Sequence, residues 1–302
     1  MSIGLRPPAS VLAPARPPRS LWSDAWARLK RNRVAVAAGV FLIAMSAFAA
    51  LAPWIPGLPD PAVQDLAKGA SPPTLAHVFG TDELGRDLFA RVLHGGRISL
   101  LVGLVSTLVS LLIGVAWGAV AGYVGGRTDD LMMRVVDVLY ALPYLFLVIL
   151  LLVFFSRSLV MLFVALGLVQ WLTMARIVRG QVLSLKHQTF VEAARALGAS
   201  DAAIIFRHIV PNTLGPVIVY TTLTVPAVIL QEAFLSFLGL GVQPPNASWG
   251  TLVSDGARLL ALFPWLVIFP SLAMSLTLLA FNFLGDGLRD ALDPQGRKEA
   301  GA

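Results

Sequence analysis

The residues of this sequence that could take part in chemistry are few, and their types and spacing argue against catalysis. The 302-residue chain has no cysteine, and its four histidines form no HExxH pair, so we expect no thiolate site and no zinc site of that type. The signatures GxxxxGK[ST], GxSxG and intramembrane GxGD are also missing. GYVGGRT at 122–128 lacks the lysine and the spacing of a phosphate loop and is typical of a turn. We therefore predict no catalytic residue and no metal site.

Two neighbouring polar residues, Gln231 and Glu232, lie inside a long apolar stretch. Charged side chains are costly within a membrane helix and are candidates for function there. Because Pro226 is expected to loosen the helix just before them, we regard the two as candidates for a translocation path or its gate. A buried hydrogen bond to a neighbouring helix is the alternative. Elsewhere, Asp137 is expected to form an interfacial ion pair with Arg134, one turn earlier.

A further group of polar residues lies in the run VEAARALGAS at 191–200. Apolar residues at helical spacing predict a short amphipathic helix over 189–197, with Glu192 and Arg195 off the apolar face. The residues of that face are Phe190, Ala193, Ala194 and Leu197. Gly198 is expected to end this helix, Ser200 to cap a second one, and Pro211 to stop it. Two such helices either insert into a groove of a partner or cap a helix bundle from below.

The composition shows what kind of scaffold must hold these residues. Hydrophobic residues make up 57% of the chain and charged residues only 13%, whereas a soluble domain carries about a quarter charged residues. This is the composition of a multispanning membrane protein. The net charge of +6 does not indicate a nucleic-acid partner, because basic residues in so apolar a chain mark the cytoplasmic ends of membrane helices.

Six apolar stretches are long enough to cross a bilayer, which needs about twenty residues when some tilt is allowed. They cover 34–52, 98–122, 135–155, 159–174, 214–235 and 263–284. Lysine and arginine are concentrated on the side that holds both termini, so we expect both termini in the cytoplasm. The predicted organisation is a basic, partly disordered cytoplasmic tail (1–33), a first transmembrane helix (34–54), an extracytoplasmic segment (55–97), a five-helix core (98–286) with a cytoplasmic loop at about 177–213, and a cytoplasmic tail (287–302).

The extracytoplasmic segment is expected to carry an amphipathic helix near its end. Its apolar stripe consists of Leu84, Leu88, Phe89, Val92 and Leu93. Such a helix lies either on the outer membrane surface or, as we favour, against its own bundle. In the span that follows, three glycines recur at intervals of four residues, a spacing that lets two helix backbones approach closely in lipid. These glycines are Gly114, Gly118 and Gly122.

The run EAARALG resembles the EAA loop of permease subunits in binding-protein-dependent ABC importers. That family's pattern is EAA, three residues, Gly, nine residues and then I-x-L-P. The chain follows it at Glu192 and Gly198 and at Pro211, but His208 and Val210 stand where isoleucine and leucine are usual. Four longer segments are similar to the C-type permease subunit of dipeptide, oligopeptide, glutathione and nickel importers. They are FGTDELGRDLFARVLHGGRISLLVG at 79–103, GYVGGRTDDLMMRVVDVLYALP at 122–143, FLSFLGLGVQPPNASWG at 234–250 and LAFNFLGDGLRDALDP at 279–294. The resemblance covers nearly all of 25–295.

The resemblance implies an all-α membrane protein with six transmembrane helices and the type I ABC importer permease fold, multi-pass in the bacterial cytoplasmic (inner) membrane. It also implies that the EAA loop is a coupling helix seated in a cleft of an ATPase subunit. The coupling residues would be Glu192, Ala193, Ala194, Arg195, Gly198, Ala199 and Pro211. Glu192 would make an electrostatic contact, and the small residues would permit close approach. The chain would then be no enzyme and bind no cofactor, since ATP and Mg would be used by the partner subunits.

The partners implied are a homologous second permease subunit in a heterodimer, two ATPase subunits, an extracytoplasmic substrate-binding protein and membrane lipid. We expect peptides as the cargo, with nickel and glutathione as alternatives within the same type of importer. A membrane-embedded enzyme is disfavoured because its signatures are missing. A stand-alone channel or secondary transporter is disfavoured because it would leave the EAA loop unexplained.

Overall fold

The computed structural model describes residues 21–155 and 158–293, and within them the chain is helical with no β-strand. The helices are α1 (Leu21–Arg31), α2 (Arg33–Leu51), α3 (Leu88–Val124), α4 (Gly126–Ala141), α5 (Tyr144–Phe155), α6 (Leu159–Leu185), α7 (Thr189–Ala196), α8 (Asp201–Ala203), α9 (Val210–Phe237), α10 (Trp249–Ala257) and α11 (Trp265–Leu292). Most of the predicted amino-terminal tail, 1–20, and the end of the carboxyl-terminal tail, 294–302, lie outside the described residues.

The described helices include five that are long and apolar enough to cross a membrane, and a sixth if a bent pair counts as one span. This confirms the prediction of an all-α membrane protein, and the six predicted spans are reached when the bent pair is counted as one. The bent pair is α4 and α5, whose axes differ by 89°, so the apolar stretch at 135–155 is not the single helix that we predicted. The break lies at Leu142, which is extended because the ring of Pro143 disfavours helical geometry in the residue before it.

The glycine-rich face of α3 packs closely against α6, as the spacing predicted. A Cβ atom built on Gly114 would lie 2.6 Å from the Cβ of Met174, and one on Gly118 would overlap the carbonyl oxygen of Ala175. No side chain fits at these positions, because the backbones of the two helices are already in contact there. α3 and α6 therefore form the most extensive helix pair of the described residues; α9 packs on both, whereas α1 and α2 pack mainly on α11.

The predicted amphipathic helix of the extracytoplasmic segment is not a separate element. α3 begins at Leu88, where the side chain of Asp87 accepts a hydrogen bond from the Ala90 N–H at 2.8 Å. Leu84 lies before the helix in a turn, and Leu88 and Val92 are buried in a cluster that includes residues of α10 and α11. The stripe therefore packs against its own bundle as the first turns of a 37-residue helix.

The prediction that Pro211 stops a helix is wrong. A continuous helix runs over Asp201–Phe237, with a π-helical turn over Ile204–Ile209 joining α8 to α9. In this wider turn the Val210 N–H donates to the carbonyl of Ile205, five residues back. Proline has no N–H to donate, so it is tolerated in the first turn of α9, where the hydrogen-bonding register changes.

Candidate functional site

The helix predicted in VEAARALGAS is present as α7, Thr189–Ala196. Its inner face consists of Val191, which is fully buried, and Ala194, which is 8% exposed. Both pack in a cluster with Val178 and Val182 of α6. The helix is therefore held against the end of a long span by two small or medium apolar side chains.

The apolar face that we predicted for α7 is only partly used inside the chain. Of its four residues Ala194 alone is buried, whereas Phe190 and Ala193 are exposed and Leu197 is 88% exposed. Val191, which the prediction missed, takes the inward position instead. Its spacing of three residues from Ala194 was the signal for this face. The rest of the stripe is exposed together with Glu192.

A tight turn ends α7 at the predicted glycine. Gly198 has a φ of +83°, which other residues rarely adopt, and nothing lies within 4 Å of the Cβ position. The Ala199 N–H donates to the Ala194 carbonyl at 3.1 Å, and the Gly198 N–H donates to the Arg195 carbonyl at 3.0 Å. This is the pair of bonds that defines a Schellman turn. Glycine is thus required here because of the backbone angle and not because of space, since a side chain at this position would meet no neighbouring atom.

The second half of the segment is anchored from the other side of the turn. Ser200 accepts a hydrogen bond from the Ala203 N–H at 3.3 Å, as expected of a helix cap. Ile204, Ile205 and Ile209 are buried in the same cluster as Val191. The two helices therefore share one apolar base, and the turn between them is exposed at Gly198.

A polar network ties the outward end of α7 to the end of α3. The Tyr123 hydroxyl donates to Asp201 Oδ1 at 2.6 Å and accepts from Arg195 Nη2 at 3.3 Å. The hydrogen bond to Tyr123 raises the pKa of Arg195 above its ordinary value, so its guanidinium remains charged. Lys186, which follows α6, donates to the Gly122 carbonyl at 2.9 Å and so ties the end of α6 to the end of α3. Arg195 thus holds the segment in place and also presents a charge at its surface.

Pro211 is not part of the exposed segment that α7 and the turn after it form. It lies in the first turn of α9, where it lines a cavity of about 760 Å³ between α1, α6, α9 and α11. The structure therefore brings together six of the seven predicted coupling residues and leaves the seventh on a neighbouring surface. The six are Glu192, Ala193, Ala194, Arg195, Gly198 and Ala199.

The two polar residues predicted in the fifth span are placed differently from each other. Glu232 is fully buried, and its Oε1 accepts hydrogen bonds from Ser236 and Ser248, both at 2.7 Å. Ser248 caps α10, so Glu232 connects α9 to that helix. The alternative of a buried hydrogen bond to a neighbouring helix therefore describes Glu232. Gln231 is half-buried beside it.

Two ion pairs join α4 to α6. Arg179 binds Asp129 through two hydrogen bonds of 2.6 Å, and Asp129 is 9% exposed. Asp137 pairs with Arg176 at 2.8 Å, and not with Arg134 as we predicted. The prediction failed because Arg134 precedes Asp137 on the same helix, whereas Arg176 is brought to it by the packing of α4 on α6.

Comparison with known proteins places these features in a family. A family model described as "Binding-protein-dependent transport system inner membrane component" matches residues 114–298. A second model, "N-terminal TM domain of oligopeptide transport permease C", matches residues 20–73. These two models together cover the first span and the whole of α7 with the turn after it.

Individual relatives are similar over most of the chain. The oligopeptide transport system permease protein OppC of Haemophilus influenzae is 51% identical over 280 residues, which are 92% of this chain and 90% of that protein. The dipeptide transport system permease protein DppC of Bacillus subtilis is 50% identical over 285 residues, 94% of this chain and 88% of the relative. The glutathione transport system permease protein GsiD of Pectobacterium atrosepticum is 42% identical over 277 residues, 92% of each chain.

A solved structure shares the fold. An inward-facing conformation of the MetNI methionine ABC transporter, in its CY5 native crystal form, aligns with a TM-score of 0.57 at 18% identity. The alignment covers 68% of this chain and 98% of that chain. At this identity the likeness concerns the fold alone, and it confirms the predicted type I importer architecture.

Proposed function

Because this chain belongs to the family of binding-protein-dependent transport system inner membrane components, we propose that it is the permease subunit of an ABC importer for di- or oligopeptides. The names of the relatives that are about half identical over nine-tenths of the chain support peptides as the cargo. Glutathione is the second candidate, supported by a relative of lower identity, and it is itself a small peptide.

The chain works, on this proposal, as one of two homologous permeases that form the path across the inner membrane. Two ATPase subunits on the cytoplasmic side bind ATP and Mg and hydrolyse the nucleotide, and an extracytoplasmic binding protein delivers the peptide. Both termini of the chain lie in the cytoplasm, in agreement with the distribution of lysine and arginine.

α7 and the turn after it are the contact with an ATPase subunit. The observation that carries this proposal is an exposed apolar surface on a firmly held helix: Leu197 is 88% exposed, whereas Val191 on the inner face of α7 is fully buried. A helix fixed in this way transmits a displacement to the spans instead of bending away from it. Motion of an ATPase would therefore pass through the Ile204–Ile209 turn directly into α9, because the helix is continuous from Asp201 to Phe237.

Two substitutions test the coupling role. Glu192→Arg reverses an exposed charge, and Gly198→Asp places a side chain at a backbone angle that other residues rarely adopt. We expect both variants to insert into the membrane and assemble with the second permease, but to lose peptide uptake that is driven by ATP hydrolysis. Reconstituted complexes in proteoliposomes would report uptake and hydrolysis in the same sample.

A charge reversal elsewhere serves as the control. Asp290→Arg changes an exposed carboxylate near the end of α11, on the predicted cytoplasmic side, and should leave uptake per ATP unchanged. Normal substrate-driven uptake in both Glu192→Arg and Gly198→Asp would contradict the assignment. The cargo is tested separately, by measuring whether the partner binding protein binds dipeptides, longer peptides, glutathione or nickel.

A further inference from the structure

The two least buried spans of the described chain, α2 and α11, leave an open groove between them. In their most apolar stretches 22% of the residues are buried, compared with 44% in α3 and α6. The groove has a volume of about 410 Å³. It is lined by Arg33, Val34, Ala37, Ala38 and Phe41 of α2 and by Leu276, Leu279, Ala280 and Phe283 of α11. Among these lining residues Arg33 alone is charged.

Small side chains form the base of the groove and large ones form its rim. Ala38 and Ala280 are buried in one apolar cluster where α2 packs on α11. Leu276 and Phe283 are 43% and 42% exposed beside them. A recess of this shape has room for a flexible apolar chain, which would cover the alanines and contact the exposed side chains at the rim.

The groove has nearly the length of one membrane leaflet. From Arg33 to Phe41 the helix α2 rises about 12 Å, at about 1.5 Å per residue. Half of the hydrocarbon core of a bilayer is about 15 Å thick. Since α2 begins at Arg33, this arginine lies at the end of the groove where the headgroups of the leaflet are expected. The apolar part then lies along the acyl chains of that leaflet.

The headgroup end of the groove is rich in accessible positive charge. Lys30, Arg31 and Arg33 are all exposed, whereas Arg28 of the same segment is used inside the chain and donates to the Asp293 carbonyl at 3.1 Å. The Cα atoms of Arg31 and Arg33 are at most about 8 Å apart, because consecutive Cα atoms are separated by about 3.8 Å. This is about one Debye length at physiological ionic strength, so the two charges act together on an anion.

Helix α1, which precedes the groove, has the side chains of a helix at a membrane surface. Trp26 is 58% exposed, and the Lys30 ammonium lies 5.1 Å from the centroid of its ring. Exposed tryptophan and lysine on one helix are typical of the level of the lipid headgroups. α1 is held there by α11, since a Cβ atom built on Gly287 would lie 3.4 Å from Leu29 Cδ1.

We propose that the groove between α2 and α11 binds an anionic phospholipid, with an acyl chain against Ala37 and Ala280 and the phosphate on Arg33. A guanidinium binds a phosphate through two hydrogen bonds, and basic residues at the end of a groove between spans favour headgroups that carry a net negative charge. The proposal goes beyond the transport function and is independent of the cargo. The other occupant of such a groove would be a second protein subunit, and the experiment separates the two.

The headgroup contact is tested by native mass spectrometry on the protein purified in detergent with the subunits that remain bound to it. Phosphatidylglycerol and phosphatidylethanolamine with identical long acyl chains are titrated, and the affinity of the tightest bound lipid is measured. Wild type should prefer phosphatidylglycerol. Arg33→Gln should lower the affinity for phosphatidylglycerol about five-fold and that for phosphatidylethanolamine less. The matched control is Arg127→Gln, an exposed arginine at the start of α4 on the same side of the membrane, which should change neither affinity.

The acyl-chain contact is tested by filling the groove. Ala37→Phe places a large side chain at an exposed lining position and should lower the affinity for both long-chain lipids by the same factor. The preference for phosphatidylglycerol should remain, because Arg33 is unchanged. Ala44→Phe is the matched control, since Ala44 is exposed on the same side of α2 two turns further along and does not line the groove.

Three results would overturn the lipid site. The first is equal affinity of wild type for the two lipids. The second is wild-type affinity for phosphatidylglycerol in either Arg33→Gln or Ala37→Phe. The third is loss of a copurifying permease subunit from Ala37→Phe with lipid binding unchanged, because a protein subunit would then occupy the groove.

Discussion

Replacing Leu197 by aspartate is expected to weaken binding of an ATPase subunit while leaving the fold of this chain intact. The Leu197 side chain is 88% exposed, so its replacement removes almost no packing contact within the chain. Burying a leucine completely is worth about 1.5–3 kcal/mol. Taking about 2 kcal/mol, the loss corresponds to roughly thirty-fold weaker binding, since about 1.4 kcal/mol is a factor of ten. The carboxylate adds a desolvation cost, so Leu197→Asp should weaken binding more than the loss of the apolar surface alone does.

The assay is titration of the detergent-solubilised permease pair with purified ATPase subunit, followed by uptake in proteoliposomes. Leu197→Ala should show an intermediate effect, because it removes apolar surface without adding a charge. Thermal unfolding of the isolated permease pair should be unchanged, as for other surface substitutions without structural contacts. Leu66→Asp is the matched control, since Leu66 is 71% exposed but lies in the predicted extracytoplasmic segment.

The reasoning would be refuted by wild-type ATPase affinity in Leu197→Asp. In that case the exposed apolar face of α7 is not buried by the ATPase, and α7 cannot be the coupling helix in the way proposed. A large loss of thermal stability in Leu197→Asp alone would refute a different step, because it would mean that the leucine is packed within the permease pair.

Three further outcomes follow from contacts inside the bundle. Gly118→Ala should lower the melting temperature of the permease pair in detergent, because its Cβ would overlap the backbone of α6, whereas Gly180→Ala, with nothing within 4 Å, should not. Asp129→Asn should destabilise the chain by about 1–3 kcal/mol in a denaturant titration, less than a fully buried pair because Arg179 is 34% exposed. Glu232→Gln should keep a carbonyl acceptor for two serine hydroxyls, so its unfolding temperature should fall less than that of Glu232→Ala; the reverse order would contradict the buried network.

Much of the coupling segment could be predicted because its signals are local. Gly198 and Ser200 fix a turn and a helix cap through bonds that reach only three to five residues along the chain. The choice of inner face was missed because Val191 and Phe190 are both apolar and adjacent. In the structure Val191 and Ala194, three residues apart, face Val178 and Val182 of α6 and the isoleucines after the turn.

The helices were predicted more reliably than their ends and breaks. A proline acts through the hydrogen bonds of its neighbours, and their register depends on the structure around it. At Pro143 the chain turns by 89°, whereas at Pro211 a π-helical turn changes the register and the helix continues. Each proline is preceded by an apolar residue within a stretch of helical character, so a helix end is an equally good prediction at both.

By itself, the sequence determined the class of protein, its long apolar helices and the helix, glycine turn and helix of the proposed coupling segment. Those conclusions depend on the lengths of the apolar stretches and on motifs whose residues lie within a few helical turns of each other. Only the tertiary structure decided which distant residues meet: Glu232 with Ser248, Asp137 with Arg176, and Tyr123 with Asp201. Each of these polar residues could pair with several residues of the right type elsewhere in the sequence. The packing of the helices selects one of them by bringing its atoms within hydrogen-bond distance.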